Sequence, residues 1–513
     1  MSGRYIPPHL RGLNTPTNAG DTSSHAKTAP HASEVEETAK EREEAERARH
    51  PDMMSVETKT LEKYFSDNSK IFRDWNEARS RGYTNQHIAH FFEKKNTQKE
   101  SNGLRAGAHA GANIKPIFTQ FYKYAIDIDN GLAYSERAID VANDQGSCWF
   151  LDFGFAPGGM ADLLLCADDR IKGVGVTLEP SEGGNVYLES LNGNDRFTPY
   201  IGDVIDMARD DLDLVAACNL PCDFQGFDLV VVGITIHQNW EGENMNELKD
   251  LLHFAQLYFA FKYLRPGGMV MMRMHMSVRL VDCHFLSLML SMFNIEKFTG
   301  LQAGMNRLAS HKVGNEKTVE KAVEKPVISG SKLDMMYQKM SLAASNRAPL
   351  VNNAYAWNAL ARTAVASKPF STFSMRKTYW VLYHGFDCSA ERRTEVMKNL
   401  QLVMEKNIFA YGFNPDKNCF NRSILMQGSI ENLLGDYGDK MISVLEDVWA
   451  KQVVALEGFM KGQTDKFCRD GISCRRRHCN MAHSHNEMIP QVMDALRAVD
   501  ARARSRLLEI SYN

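Results

Sequence analysis

The chain has 513 residues, 60 Lys+Arg against 63 Asp+Glu, a formal net charge of −3 and 44% hydrophobic residues. That length predicts two or more domains, and the apolar share is enough for one large core. The near balance of charge excludes a global basic field, so a polyanion would have to be met by local patches.

The start, Met1-Ser2-Gly3-Arg4, shows no charged-then-apolar leader, which predicts that the chain is not secreted. Residues 1–54 read as a disordered tail, polar at first and then densely charged from Glu34 to Arg49. Within it, Tyr5-Ile6-Pro7-Pro8-His9-Leu10-Arg11 is an aromatic and aliphatic exception. Residues 55–114 read as a helical extension and linker. Leu61, Tyr64, Phe65, Ile71, Phe72 and Trp75 recur at helical spacing, and Asn102 to Asn113 is rich in Gly, Ala and Asn.

From 115 to 385 the pattern alternates strand and helix, predicting an α/β domain with a parallel sheet. Predicted strands are Cys148–Phe153, Gly173–Leu178, Phe197–Gly202, Phe227–Val232, Met269–Met274, Ile295–Phe298 and Thr378–Tyr383. Leu251 to Leu264 reads as a helix, closed by an Arg265-Pro266-Gly267-Gly268 turn. Phe285 to Phe293, the most apolar run, is too short to span a bilayer. An insertion at 301–367, between the last two strands, reads as a lid, a binding element or disorder. Residues 386–464 read as helical, with Val396, Leu400, Val403 and Met404 on one face. A cysteine-rich unit fills 465–486. A closing helix, Met488 to Leu508 within 487–513, carries Arg497, Arg502, Arg504 and Arg506 on its polar side. Ten cysteines in a chain of this kind predict reduced thiols in cytoplasm or nucleus, with metal binding where they cluster.

The most informative stretch is Asp152-Phe153-Gly154-Phe155-Ala156-Pro157-Gly158-Gly159. An acid at a strand end, a glycine turn and a following helix build the ligand crevice of doubly wound α/β folds. The pattern resembles motif I of S-adenosylmethionine-dependent methyltransferases, in the form used by FtsJ/RrmJ-type RNA 2′-O-methyltransferases. Leu264-Arg265-Pro266-Gly267-Gly268 is similar to that family's L-x-P-G-G turn. Lys368-Pro369, Ser371, Ser374 and Tyr379 to Val381 resemble its final segment. The resemblance implies a doubly wound Rossmann-like methyltransferase sheet with helical extensions. It implies that Asp152, Gly154, Pro157, Gly158 and Gly159 hold the methionine part of the cofactor. It further implies Glu179 at the ribose hydroxyls and Asp203, of a Gly202-Asp203 pair, at the adenine amino group.

The family moves its methyl group with a Lys-Asp-Lys-Glu tetrad, and here the chain departs from the pattern. Gly233 stands where the Asp is expected, Arg273 at the central lysine, and Lys377 or a neighbour at the Glu; Lys123 is a candidate first lysine at long spacing. Arg273 is a poor base because guanidinium does not deprotonate near neutrality, although it can orient phosphate or ribose. His237 and His275 follow the two altered strand ends and titrate in a useful range. Arg273, Lys377 and His237 are therefore the catalytic candidates. The preserved cofactor half leaves two readings, an RNA methyltransferase or a catalytically degenerate RNA-binding or scaffold protein on the same fold.

Cys468-x5-Cys474-x4-Cys479-x3-His483 supplies four soft ligands for tetrahedral zinc. It resembles the CCCH zinc finger of RNA-binding proteins. Lys466, Arg469, Arg475, Arg476 and Arg477, with Phe467 as a stacking face, suit single-stranded RNA. The expected cofactors are thus S-adenosylmethionine and Zn2+, and the expected partner is RNA. The Tyr5–Arg11 segment resembles a stretch in the tails of some DEAD-box RNA helicases. It also half-matches a peptide that binds the translation cap-binding factor, which predicts a translation-factor contact through residues 5–11.

Overall fold

The computed structural model describes residues 56–88, 114–234, 245–276, 278–307, 362–369, 378–405, 429–463 and 488–512. Its centre is a seven-stranded sheet in the order β3-β2-β1-β4-β5-β7-β6. The strands are β1 Cys148–Phe153, β2 Ile171–Thr177, β3 Phe197–Ile201, β4 Phe227–Val232, β5 Leu264–His275, β6 Ala364–Ser367 and β7 Thr378–His384. β1 to β5 run parallel; β7 is antiparallel to β5 and β6 antiparallel to β7. Phe227–Val232, apolar except for Asp228 and buried at every position, suits a strand covered on both faces.

Helices cover the two faces. On one side lie α3 (Lys115–Leu132), α4 (Tyr134–Gln145), α5 (Gly159–Ala167) and, from Val499 onward, α11 (Pro490–Tyr512), whose Val492 joins the other side. On the other lie α6 (Val204–Arg209), α7 (Met245–Tyr263), α8 (Leu280–Met292) and α9 (Ala390–Glu405). A further group joins that second side: α1 (Val56–Asn68), α2 (Lys70–Thr84) and the 31-residue α10 (Ile430–Met460). The sheet order reverses between β1 and β4, and their C-terminal ends define the crevice where open α/β sheets take ligands.

The apolar stripe of α1 and α2 closes on α10. Trp449 lies 5.7 Å from Phe65, 4.9 Å from Phe72 and 6.4 Å from Trp75, measured between ring centroids. Residues far apart in sequence thus share one aromatic knot. Trp449→Ala should cost about 3–5 kcal/mol. The shift of the urea unfolding midpoint measures it, and a shift near zero would separate α1 and α2 from the core.

Several elements differ from the sequence expectation. Residues Ile295–Lys297 form a single 3-10 turn, because the Asn294 side chain caps it by accepting from Glu296 N at 3.1 Å. The strand at that place in the sheet is β6, which falls inside the expected insertion and precedes β7 directly. The Arg265–Gly268 stretch is the bulged start of β5, with Gly267 at φ +77°. A Cβ on Gly267 would meet Lys297 O at 2.8 Å. In α11, Val499, Ala503 and Ile510 face the core, and Arg502 and Arg506 turn inward with them to meet acids. Among the described residues no helix is long and apolar enough to cross a membrane.

Candidate functional site

The Asp152–Gly159 loop crosses the C-terminal end of β1 and becomes the N-terminus of α5. Gly158 is the N-cap of α5 at φ +110°, a conformation L side chains rarely adopt. A Cβ on Gly159 would lie 2.6 Å from the backbone carbon of Phe121, so α3 packs directly on the loop. The Ala156–Pro157 peptide is cis.

Asp152 is the anomaly of this edge. It is 2% exposed, its Oδ2 has no hydrogen-bond partner, and burial pushes its carboxyl up to about 7. Buried polar atoms are nearly always paired, so an orphaned carboxylate oxygen beside a glycine loop calls for a ligand donor. The loop and this acid fit the amino-acid end of S-adenosylmethionine. The first N–H groups of α5, which have no carbonyl partner within the helix, suit its carboxylate, and Asp152 suits its ammonium.

The other expected cofactor residues lie on the same edge. Glu179 follows β2, is exposed, and its side chain makes no cap hydrogen bond. Asp203 follows β3 and caps α6, its Oδ1 accepting from Ile205 N at 2.8 Å. Beside it Ile201 is 38% exposed, one of three large hydrophobic residues left open among the described residues. An apolar surface next to an acid matches the edge of a purine.

The catalytic positions do not assemble a tetrad. Asp228, the acid that opens β4, lies at the far end of that strand. It forms a buried ion pair with Arg265 and accepts from Trp149 N at 2.7 Å. At the near end, a Cβ on Gly233 would stand 3.0 Å from Phe153 O and 3.2 Å from Cη2 of Trp380. Trp380 sits on β7 opposite Arg273 and donates from Nε1 to the Tyr124 hydroxyl at 2.8 Å. The edge of the indole thus crowds the position where a side chain at 233 would begin. Arg273 is half-buried at the end of β5, where its carbonyl lies 3.2 Å from His253 Nε2. Burial holds His253 down at about 4, so that ring is neutral. His275, two residues on, is exposed. Lys123 Nζ is paired with Asp500 Oδ1 at 2.6 Å.

Lys377, His237 and the four zinc ligands Cys468, Cys474, Cys479 and His483 lie outside the described residues. Among the described residues no group of three or more His, Cys, Asp or Glu could hold a metal ion.

Sequence reasoning missed the ionic frame around this edge. Arg279, 6% exposed, forks between Asp250 and Asp282 with contacts of 2.9–3.3 Å and fixes the segment after β5 on α7 and α8. Arg506 does the same for Asp162 in α5, and Arg502 for Asp129 in α3. The signal available was the i, i+4 spacing of Arg502 and Arg506 beside Val499 and Ala503, which places all four on one face.

Residues 134–299 match the family described as FtsJ-like methyltransferase. A putative O-methyltransferase from Klebsiella pneumoniae aligns at 12% identity over 56% of this chain and 95% of its own, with a TM-score of 0.24. PKMT2 from Rickettsia typhi, solved in complex with AdoHcy, aligns at 10% identity over 59% and 70%, with a TM-score of 0.19. The CurJ carbon methyltransferase aligns at 8% identity over 47% of this chain and about half (49%) of its own, with a TM-score of 0.20. No curated protein matches. With TM-scores this low, the fold rests on the strand order and the family match. The match to the FtsJ-like methyltransferase family spans α4 through the turn after α8, about a third of the chain.

Proposed function

We propose that this protein binds S-adenosylmethionine at the Asp152–Gly159 loop and acts on RNA. The observation that carries the cofactor reading is the buried, unpartnered Oδ2 of Asp152 beside the N-terminus of α5. When bound, the cofactor supplies an electrophilic methyl group. Asp152 and α5 hold its amino-acid end, Glu179 its ribose hydroxyls, and Asp203 with Ile201 its adenine.

The acceptor is an RNA nucleotide, by resemblance a ribose 2′-hydroxyl. Arg273 orients phosphate or ribose at the end of β5. Lys377 and His237 are the remaining candidates for handling the proton. A second reading, a catalytically degenerate RNA-binding protein or scaffold, is favoured by Trp380, whose ring edge would lie 3.2 Å from a Cβ at position 233. The CCCH unit takes Zn2+ and offers Lys466, Arg469 and Arg475–Arg477 to single-stranded RNA. Residues 5–11 serve as a contact for a translation factor. The protein works inside the cell, in cytoplasm or nucleus.

Incubating the full chain with labelled S-adenosylmethionine and capped, ribosomal and poly(A) RNAs separates the two readings. Label on any RNA supports the enzyme; cofactor binding without label leaves the degenerate protein. Cys474→Ser should release zinc and weaken RNA binding by about tenfold, roughly 1.4 kcal/mol. Unchanged RNA affinity would make the finger structural. Deleting residues 1–12 should remove co-purifying initiation factors, and unaltered co-purification would end the translation-factor reading.

A further inference from the structure

Helix α11 reaches back across the helices that flank the cofactor loop. Its buried Val499, Ala503 and Ile510 turn the 499–510 face inward. Arg506 donates from Nε at 2.9 Å and from Nη2 at 2.6 Å to the two oxygens of Asp162, whose side chain is 4% exposed. Four residues earlier, Arg502 pairs with Asp129 and donates to Asn130 Oδ1 at 3.0 Å and Ser135 Oγ at 3.2 Å. Asp500 takes Lys123 at 2.6 Å. The two ion pairs with α3, Arg502–Asp129 and Lys123–Asp500, set the register of α11 along it, and that register delivers Arg506 to Asp162.

Asp162 stands three residues after Gly159, in the first turn of the nine-residue α5. An acid there complements the helix dipole. The positive end of a helix is worth roughly half an elementary charge, so a full negative charge one turn in would cancel what the N-terminus offers to an anion. The fork from Arg506 removes that opposition.

We infer that Arg506 is a positioning residue for the cofactor. By neutralising Asp162 it leaves the N-terminus of α5 free to receive the carboxylate of an amino-acid-bearing ligand. The inference rests on the cofactor reading, whose own support is the orphaned Asp152 oxygen. It also makes the C-terminal helix, outside the 134–299 family match, part of the cofactor site.

Calorimetric titration of the full chain with S-adenosylmethionine and with its decarboxylated analogue tests this. Arg506→Gln should weaken the parent cofactor about tenfold, or roughly 1.4 kcal/mol, and leave the analogue close to unchanged. Arg506→Gln combined with Asp162→Asn carries no orphaned charge and should restore the parent affinity. Should the single variant fail to fold, Asp162→Asn alone, which leaves the Arg506 charge unopposed, should bind the parent cofactor more tightly than the double variant, and equal affinities would overturn the inference. Equal losses for both ligands, an unchanged Arg506→Gln, or a double variant as weak as the single would overturn the inference. Native protein that binds no cofactor would instead remove the underlying reading and this inference together.

Discussion

Asp152→Asn should abolish the pH dependence of cofactor binding and weaken binding at pH 8 by about tenfold to a hundredfold, the worth of one charge-assisted hydrogen bond. Burial raises the Asp152 carboxyl from 3.8 to about 7 in the empty protein. Only the carboxylate form pairs with an ammonium. Between pH 6 and pH 8 the native protein must therefore gain about tenfold in affinity, and binding below pH 7 must release a proton. The same shift acts on stability in the opposite sense. Because the folded value lies above the unfolded one, the contribution of Asp152 is greatest below about pH 4 and is lost as pH rises through 7. Asn carries no such loss, so the variant should gain melting temperature over the native protein at pH 8 and less at pH 5. Calorimetry at three pH values, with buffers of different ionisation enthalpy, reads affinity and proton release together. A pH-independent native affinity would remove Asp152 from the ligand.

Parts of this edge were legible in the sequence, and parts were not, for a physical reason. β1 and β4 were readable to the residue, because each is a six-residue run, apolar but for one Asp and bounded by turns, too short for a helix and rich in aromatic or β-branched residues. The glycine loop was readable because backbone conformation restricts residue type there. Ile295–Phe298 was misread as a strand, since two apolar ends around a charged middle fit a capped turn equally well. β6, only four residues long and set after an Ala/Asn-rich stretch, has too little pattern to stand out, and its strand character comes from pairing with β7. The contacts that shape the site are tertiary. Trp380 and Tyr124 are 256 residues apart, and Arg502 and Asp129 are 373 apart. No local pattern specifies such partners; they exist only once α3, α11 and β7 have packed.

Restoring the family's acid at position 233 should give a less stable protein and no methyl transfer. Gly233→Asp places a Cβ 3.0 Å from Phe153 O and 3.2 Å from the Trp380 ring. Overpacking of that kind costs about 1–3 kcal/mol. The new carboxylate is also driven toward an indole whose N–H is already committed to Tyr124. Trp380→Ala makes room but strips a 2%-exposed ring from the core, at about 3–5 kcal/mol, and leaves the Tyr124 hydroxyl without its donor. If the indole fills the aspartate's space, the two changes are coupled, and the double variant should lose less stability than the sum of the single losses. Urea midpoints for the four proteins give that coupling, and labelled cofactor with RNA gives activity. A Gly233→Asp variant that methylates RNA, or is as stable as the native chain, would show that Trp380 moves aside and that the family's chemistry was never displaced. Additive losses with no transfer would place the tryptophan beside the vacant position rather than in it. The coupled outcome makes the tryptophan an established part of this crevice. Any transfer would then have to draw on Arg273, Lys377 or His237 rather than on an aspartate-held lysine.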